Sequence, residues 1–182
     1  MLVAAVECRS EISGDTLSGH AAVFDTLAKL PRHYEQLARS AFDEALERGD
    51  DAAALINHDP SLILGRRSAG TLRLDVDRRG LAFEVDLPDT SYARDLRSSI
   101  ARGDIAGMSF GFLAGAHTWG RAPDGRQLRT HTSVKRLLDI SPVTYPAYEG
   151  TDLSLRAMVI EPEPNRHRLI RARARLLEGI TR

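Results

Sequence analysis

Alternating apolar and polar positions recur along most of the chain. This period of two is typical of β-strands that bury one face, whereas short continuous apolar runs are typical of fully buried strands. Strands are therefore predicted over residues 2–8, 17–24, 52–56, 71–76, 81–87, 105–113, 128–134 and 137–144. The last two are expected to pair with each other, and residues 117–126 are expected to form a polar loop. The turn Asp77-Arg78-Arg79-Gly80 predicts a hairpin in which Gly80 adopts a positive φ.

Two segments with apolar residues at helical spacing interrupt the strands. The first covers residues 40–48, where Ser40 is the expected N-cap and Gly49 the expected stop. The second covers residues 91–102, and Gly103 closes it. Few helices among many strands predict a mixed α+β protein.

The composition changes near the C-terminus, at Glu161-Pro162-Glu163-Pro164. Two alternating prolines disfavour both a helix and a central strand, so this segment is expected to be a linker. The residues after it carry an apolar stripe with arginines on the opposite face, which predicts a basic amphipathic helix. The chain is therefore divided into a main domain over residues 1–160 and an extension over residues 161–182.

Charge and cysteine content exclude several classes of protein. The 25 basic and 25 acidic side chains balance, so no overall field draws the molecule to nucleic acid or an anionic membrane. Cys8 is the single cysteine, which excludes an internal disulfide framework and a cysteine-rich zinc site. The apolar start of the chain is interrupted at Glu7, too early for a signal peptide or a membrane span. We expect a soluble, intracellular protein with no cofactor and no bound metal.

Ser109 is the candidate nucleophile. In residues 107–112, strand alternation places one methionine and two phenylalanines on one face and Gly107, Ser109 and Gly111 on the other. Glycines two positions away leave the serine uncrowded and permit close approach by a peptide backbone, so both glycines are candidate substrate-binding or oxyanion-site residues. The alternative is a serine on a solvent-facing strand whose glycines permit twist.

His58 is the candidate base among six histidines. The buried run at residues 52–56 delivers His58 into a turn over residues 57–60, a position that is rigid on one side and open on the other. The alternative is an exposed imidazole in a hydrogen-bonded turn. A metal-dependent hydrolase using His58 and Asp59 is a further alternative, although the sequence offers no second cluster of ligands.

Asp139 is the candidate for the third role, orientation of the imidazole. It lies within an apolar strand, and carboxylates rarely enter such surroundings without a partner. The alternative is an edge-strand aspartate that faces water or pairs with Lys135 or Arg136. His131 is the second candidate for the same role.

The adjacent pair Arg66 and Arg67 is a candidate source of oxyanion donors. It follows the predicted His58 turn, and either the guanidinium groups or the backbone N–H groups could contact a developing negative charge. The alternative is a solvated surface pair, which is the more frequent state of neighbouring arginines.

Several segments, in this order, resemble the prohead protease family of HK97-like tailed phages. They are Gly19-His20-Ala21-Ala22-Val23-Phe24-Asp25, Asn57-His58-Asp59-Pro60, Gly107-Met108-Ser109-Phe110-Gly111-Phe112 and Asp139-Ile140-Ser141-Pro142-Val143. The resemblance covers most of residues 15–152. It implies His58 as base, Ser109 as nucleophile and Asp139 at the usual acidic position. It also implies a mainly antiparallel, closed β-barrel with flanking helices, as in the related herpesvirus assemblins.

The resemblance further implies a biological role. Such a chain is a serine endopeptidase that cuts scaffold or the scaffolding segment of the major capsid protein, and in some cases itself, inside the procapsid in the host bacterial cytoplasm. A homodimer is compatible with this expectation, as is binding of capsid or scaffold segments by the C-terminal helix. The alternative is a non-enzymatic assembly factor that keeps the protease fold and binds capsid protein.

Overall fold

The computed structural model describes residues 2–6, 11–13 and 15–145. These residues form a mixed α+β fold with short helices α1 (Asp43–Glu47) and α2 (Ser91–Arg102). The strands are β1 (Leu2–Val6), β2 (Glu11–Ser13), β3 (Thr16–Val23), β4 (Ala28–Lys29), β5 (Tyr34–Leu37), β6 (Ala53–Ile56), β7 (Asp59–Arg66), β8 (Leu72–Val76), β9 (Gly80–Asp86), β10 (Gly107–Ala114), β11 (His117–Arg121), β12 (Gln127–His131) and β13 (Val134–Val143).

The strands form three sheets. A five-stranded sheet has the order β1-β10-β13-β6-β7, and two four-stranded sheets have the orders β11-β12-β5-β4 and β2-β3-β9-β8. Pairing is antiparallel except between β5 and β12 and between β6 and β13. The α+β class is thus confirmed. Within the described ranges no strand pairing closes a sheet, so the closed barrel stays a prediction.

The apolar face of β10 anchors the five-stranded sheet to the core. Met108, Phe110 and Phe112 are buried, as the alternation in residues 107–112 predicts. The Phe110 ring lies 5.1 Å from that of Phe112 and 5.5 Å from that of Phe42, measured between centroids. These aromatic contacts fix the orientation of β10 and direct Ser109 to the opposite face of the sheet.

Helix α2 is capped at both ends, and Gly103 closes it as the sequence predicts. The Thr90 side chain accepts a hydrogen bond from the Ala93 N–H, and Gly103 ends the helix with φ 80°. Ala93 and Leu96 are buried against the core. In the part of the chain that the structure describes, no helix is long and apolar enough to cross a membrane.

Three predictions are wrong: the cap of α1, the pairing of the last two strands with each other, and the loop over residues 117–126. Ser40 lies outside α1, whose N-cap is Phe42, and its hydroxyl donates to the Thr132 carbonyl instead. Strands β12 and β13 belong to different sheets and do not pair with each other. The expected loop at residues 117–126 contains β11. This strand is exposed along its whole length, so its sequence shows no alternation of apolar and polar residues.

Gly80 is required by a close backbone approach, and the prediction of a positive φ at this position is wrong. A Cβ atom on Gly80 would lie 1.9 Å from the Ala22 carbonyl oxygen, because β3 and β9 pair tightly there. We expect Gly80→Ala to lower the free energy of unfolding by about 1–3 kcal/mol or more. Gly120→Ala is the matched control, since a Cβ there meets no atom within 4 Å. Equal urea midpoints for the two variants would contradict the expectation.

Candidate active site

Strand pairing brings residues 109 and 139 onto one face of the five-stranded sheet. In the antiparallel pairing of β10 with β13, Ser109 lies opposite Ser141 and Gly111 lies opposite Asp139. Asp139 and Ser141 are two residues apart, so both point to the face that carries Ser109. Because β13 lies between β10 and β6, Asp139 is on an interior strand and not on an edge.

His58 reaches the same place through a tight turn. Ile56 of β6 pairs with Asp59 of β7, so Asn57 and His58 are the two central residues of a hairpin loop. Their φ values are 51° and 59°, the left-handed pattern of a two-residue hairpin turn. The turn is held against β13 because the Asn57 N–H donates to the Pro142 carbonyl at 3.0 Å.

The three side chains form a continuous hydrogen-bonded series. His58 Nδ1 lies 2.5 Å from Asp139 Oδ1, and His58 Nε2 lies 2.8 Å from Ser109 Oγ. A carboxylate only accepts, so Nδ1 carries a hydrogen and donates it, which leaves Nε2 as the acceptor for the Ser109 hydroxyl. This arrangement can remove the serine proton and hold the imidazole in the tautomer that the transfer requires.

Burial shields the polar series from water. Ser109 is 1% exposed and Asp139 is 6% exposed, while the His58 side chain keeps 18% of its surface open. Hydrogen bonds between such groups are stronger than in water, because the surroundings screen them less. The Ser109 hydroxyl and the Asp139 carboxylate are therefore enclosed, and the imidazole is the part of the series that is open to solvent.

Gly107 and Gly111 flank Ser109 on β10. They lie opposite Val143 and Asp139, respectively, on the strand face that carries the serine. Gly111 lies in the pairings of β10 with both β1 and β13, whereas Gly107 lies in the pairing with β13. Both glycines are buried, and neither places a side chain beside the serine.

The structure does not bring Arg66 and Arg67 together with Ser109. Arg66 is the last residue of β7, and Arg67 follows it; β6 and β13 lie between β7 and β10. The Arg66 N–H donates to Thr71 Oγ1 at 2.9 Å and the Arg67 N–H donates to the Ala52 carbonyl at 3.0 Å. The Arg66 guanidinium also donates to Asp51. The backbone N–H groups of both arginines are therefore committed to structural contacts.

His131, the second candidate for the third role, contacts Glu35 and not His58. It is buried on β12, and its Nε2 lies 3.3 Å from Glu35 Oε2, an ion-pair distance without hydrogen-bond alignment. Burial would raise the pKa of Glu35, but His131, His33 and Arg129 together hold that pKa below its ordinary value. These groups form a second polar cluster outside the His58 site, in which Glu35 and His131 are buried and His33 and Arg129 are partly exposed.

The prediction that residues 57–60 form a turn is correct for Asn57 and His58 and wrong for Asp59 and Pro60. Asp59 and Pro60 belong to β7, an edge strand, where the missing N–H of proline is tolerated.

Ser141 is not among the site residues that the sequence predicts, although it contacts both His58 and Asp139. The signal that could have identified it is its spacing, two residues from Asp139 on a strand.

The left-handed backbone at His58 predicts a measurable strain. We expect His58→Gly to be more stable than His58→Ala by about 1 kcal/mol, because only glycine adopts this conformation without a Cβ penalty. Both variants lose the same imidazole contacts, so their difference isolates the backbone. Urea denaturation of the two proteins measures it, and an alanine variant at least as stable as the glycine variant would contradict the assignment of strain.

In the described ranges, no group of three or more His, Cys, Asp or Glu residues is placed to hold a metal ion.

Comparisons with known proteins provide an independent finding. A family model described as caudovirus prohead serine protease matches residues 4–165. No curated protein sequence matches the chain. Among solved structures, the chain is similar to the bacteriophage T4 capsid assembly protease, gp21, with 10% sequence identity and a TM-score of 0.47 over 79% of this chain and 99% of that one.

Proposed function

Because the chain belongs to the caudovirus prohead serine protease family, we propose that it is a serine endopeptidase in which Ser109 is the nucleophile, His58 the base and Asp139 the residue that orients His58. The observation that carries this proposal is the hydrogen-bonded series from Ser109 Oγ through the imidazole to Asp139, at 2.8 and 2.5 Å. The family match indicates a serine protease but no particular residues, whereas the hydrogen-bonded series supports the roles proposed for Ser109, His58 and Asp139.

The reaction follows from the positions of the two ring nitrogens. His58 Nε2 takes the Ser109 proton while Oγ bonds to the carbonyl carbon of the peptide. The imidazolium then gives this proton to the amide nitrogen, the C–N bond breaks, and the substrate acyl group remains on Ser109. His58 next deprotonates a water molecule that attacks the acyl carbon, and the imidazolium returns this proton to Ser109 Oγ as the acyl C–Oγ bond breaks and the acid product leaves. Asp139 stabilises the imidazolium in both halves.

The glycines beside Ser109 favour a peptide substrate. Gly107 and Gly111 remove side chains on both sides of the nucleophile, which allows an extended backbone to approach the strand. Arg66 and Arg67 have no part in oxyanion binding here, because their N–H groups already have acceptors.

The substrates follow from the family's biology. The chain cleaves scaffold or the scaffolding segment of the major capsid protein inside the procapsid in the bacterial cytoplasm. The proposal includes the closed β-barrel that the family resemblance predicts for such a protease. The predicted linker and basic helix at residues 161–182 lie outside the described residues, and their binding of capsid or scaffold segments is part of the same proposal.

Co-expression with the cognate major capsid protein and scaffold tests the proposed substrates. Intact mass measurement is expected to find a shortened capsid or scaffold protein with the wild type, and full-length proteins with Ser109→Ala as control. Assembled shells that contain uncut proteins in both samples would contradict the proposal. That result would instead favour the non-enzymatic assembly factor.

A further inference from the structure

Ser141 contacts both partners of the His58–Asp139 hydrogen bond through one atom. Its Oγ donates to Asp139 Oδ1 at 2.9 Å and accepts from the His58 backbone N–H at 3.2 Å. These roles are fixed, because the hydroxyl has one hydrogen and the carboxylate can only accept it. The side chain is fully buried, directly across from Ser109 in the sheet.

The contact with His58 matters because the backbone there is strained. A residue other than glycine keeps a left-handed conformation only when its surroundings hold it. The neighbouring residue Asn57 is tied to the end of β13 and the residue after it, by its own N–H to the Pro142 carbonyl and by the Thr144 N–H to its side chain. The Ser141 hydroxyl is the contact that reaches the His58 backbone itself.

The contact with Asp139 matters because both bonds meet at one oxygen. Asp139 Oδ1 accepts from His58 Nδ1 and from Ser141 Oγ. The Ser141 hydroxyl therefore restrains the Asp139 carboxylate, to which it donates, and the His58 backbone, whose N–H it accepts. Displacement of either group would move Nε2 relative to Ser109 Oγ.

Building on the proposed function, we propose that Ser141 is a positioning residue that sets the distance between His58 and Asp139 and so keeps Nε2 within reach of Ser109. It acts through these two residues and touches no reacting atom. It is not a second nucleophile, because its hydrogen is directed to Asp139 and not to an imidazole nitrogen.

A fluorophosphonate probe measures this positioning without a known substrate. Ser109 Oγ forms a bond to phosphorus, the P–F bond breaks, fluoride leaves and His58 takes the serine proton. We expect Ser141→Ala to react about 10–100-fold more slowly than the wild type, because small misplacements of catalytic groups have effects of that size. Ser141→Thr, which keeps the hydroxyl on the same carbon, is expected to recover the rate to within about threefold.

Ser133→Ala is the matched control. The Ser133 hydroxyl also accepts a backbone N–H, that of Ala116 at 2.9 Å, but it is not in contact with His58 or Asp139. We expect this variant to react at the wild-type rate. Rates are compared per folded molecule, with thermal unfolding curves for each variant, so that lost stability is not counted as lost positioning.

Proton NMR separates positioning from a merely structural role. The His58 Nδ1 proton, held in a short bond to Asp139, is expected to give a far-downfield signal in the wild type and Ser141→Thr that is lost or shifted in Ser141→Ala. An alanine variant that reacts within about twofold of the wild type, or that reacts slowly with an unchanged signal, would overturn the inference. If the wild type itself is not labelled at Ser109, the proposed function fails instead.

Discussion

Replacing Ser109 with alanine is expected to lower kcat for peptide hydrolysis by about 10⁵–10⁶-fold, the size of effect that loss of the nucleophile has in serine proteases. The Ser109 hydroxyl is the group in hydrogen-bond contact with His58 Nε2. Without it, the imidazole has no oxygen to activate and no acyl-enzyme can form. The measurement is the cleavage rate of a peptide that spans the cut site found by co-expression.

Stability provides the control for this prediction. The substitution removes one hydroxyl and keeps Cβ, so the packing of β10 through Met108, Phe110 and Phe112 stays as it is. We expect the alanine variant to unfold cooperatively at a temperature close to that of the wild type. A well-folded variant that keeps more than about 1% of the wild-type rate would show that another residue is the nucleophile.

Replacing Asp139 with asparagine is expected to lower kcat by about 10³–10⁴-fold. A neutral amide cannot stabilise the positive charge that His58 acquires when it takes the serine proton. If the NH₂ group faces Nδ1, it also selects the tautomer in which Nε2 carries a hydrogen and cannot accept another. The same peptide assay measures the loss.

Asp50→Asn is the matched control for Asp139→Asn. The Asp50 carboxylate accepts the Leu137 N–H at 2.8 Å and pairs with Arg48, so it also supports β13 but does not contact His58. We expect this control to lose stability and to keep its rate per folded molecule. Equal activities for the two asparagine variants would mean that Asp139 has only a structural role.

Local sequence patterns predicted the surroundings of Ser109 and Asp139, but they did not predict that strand pairing brings these residues into contact with His58. Alternation in residues 107–112 gave the face of Ser109, and the apolar context of Asp139 indicated a buried carboxylate that needs a partner. The meeting itself depends on the register of β10 with β13 and on the parallel pairing of β13 with β6. These pairings join residues far apart in sequence, so the period of two cannot reveal them.

The strands that the sequence did not predict lack the signal on which prediction depends. Strand β11 has no buried face, and β4 and β5 are too short to show a clear period. Strand β7 begins with Asp59 and Pro60, residues typical of turns, and was recognised neither as a strand nor as an edge. The error at Gly80 has another cause, because close contact with Ala22 is a tertiary property.

The candidate oxyanion donors show the limit of proximity in sequence. Arg66 and Arg67 follow His58 within ten residues, but they lie at the far end of β7 from the turn, Arg66 as its last residue and Arg67 directly after it. Sheet order places two strands between them and Ser109. Closeness to His58 in sequence therefore gave no information about closeness to Ser109.

The most direct test of the account is the site and rate of fluorophosphonate labelling, read by intact mass and peptide mapping. We predict one adduct per wild-type chain, located on Ser109, with no adduct on Ser109→Ala and a rate reduced by at least about 100-fold in His58→Ala. Absence of an adduct on the folded wild type, or an adduct on another serine, would contradict the assignment of Ser109 as a nucleophile activated by His58.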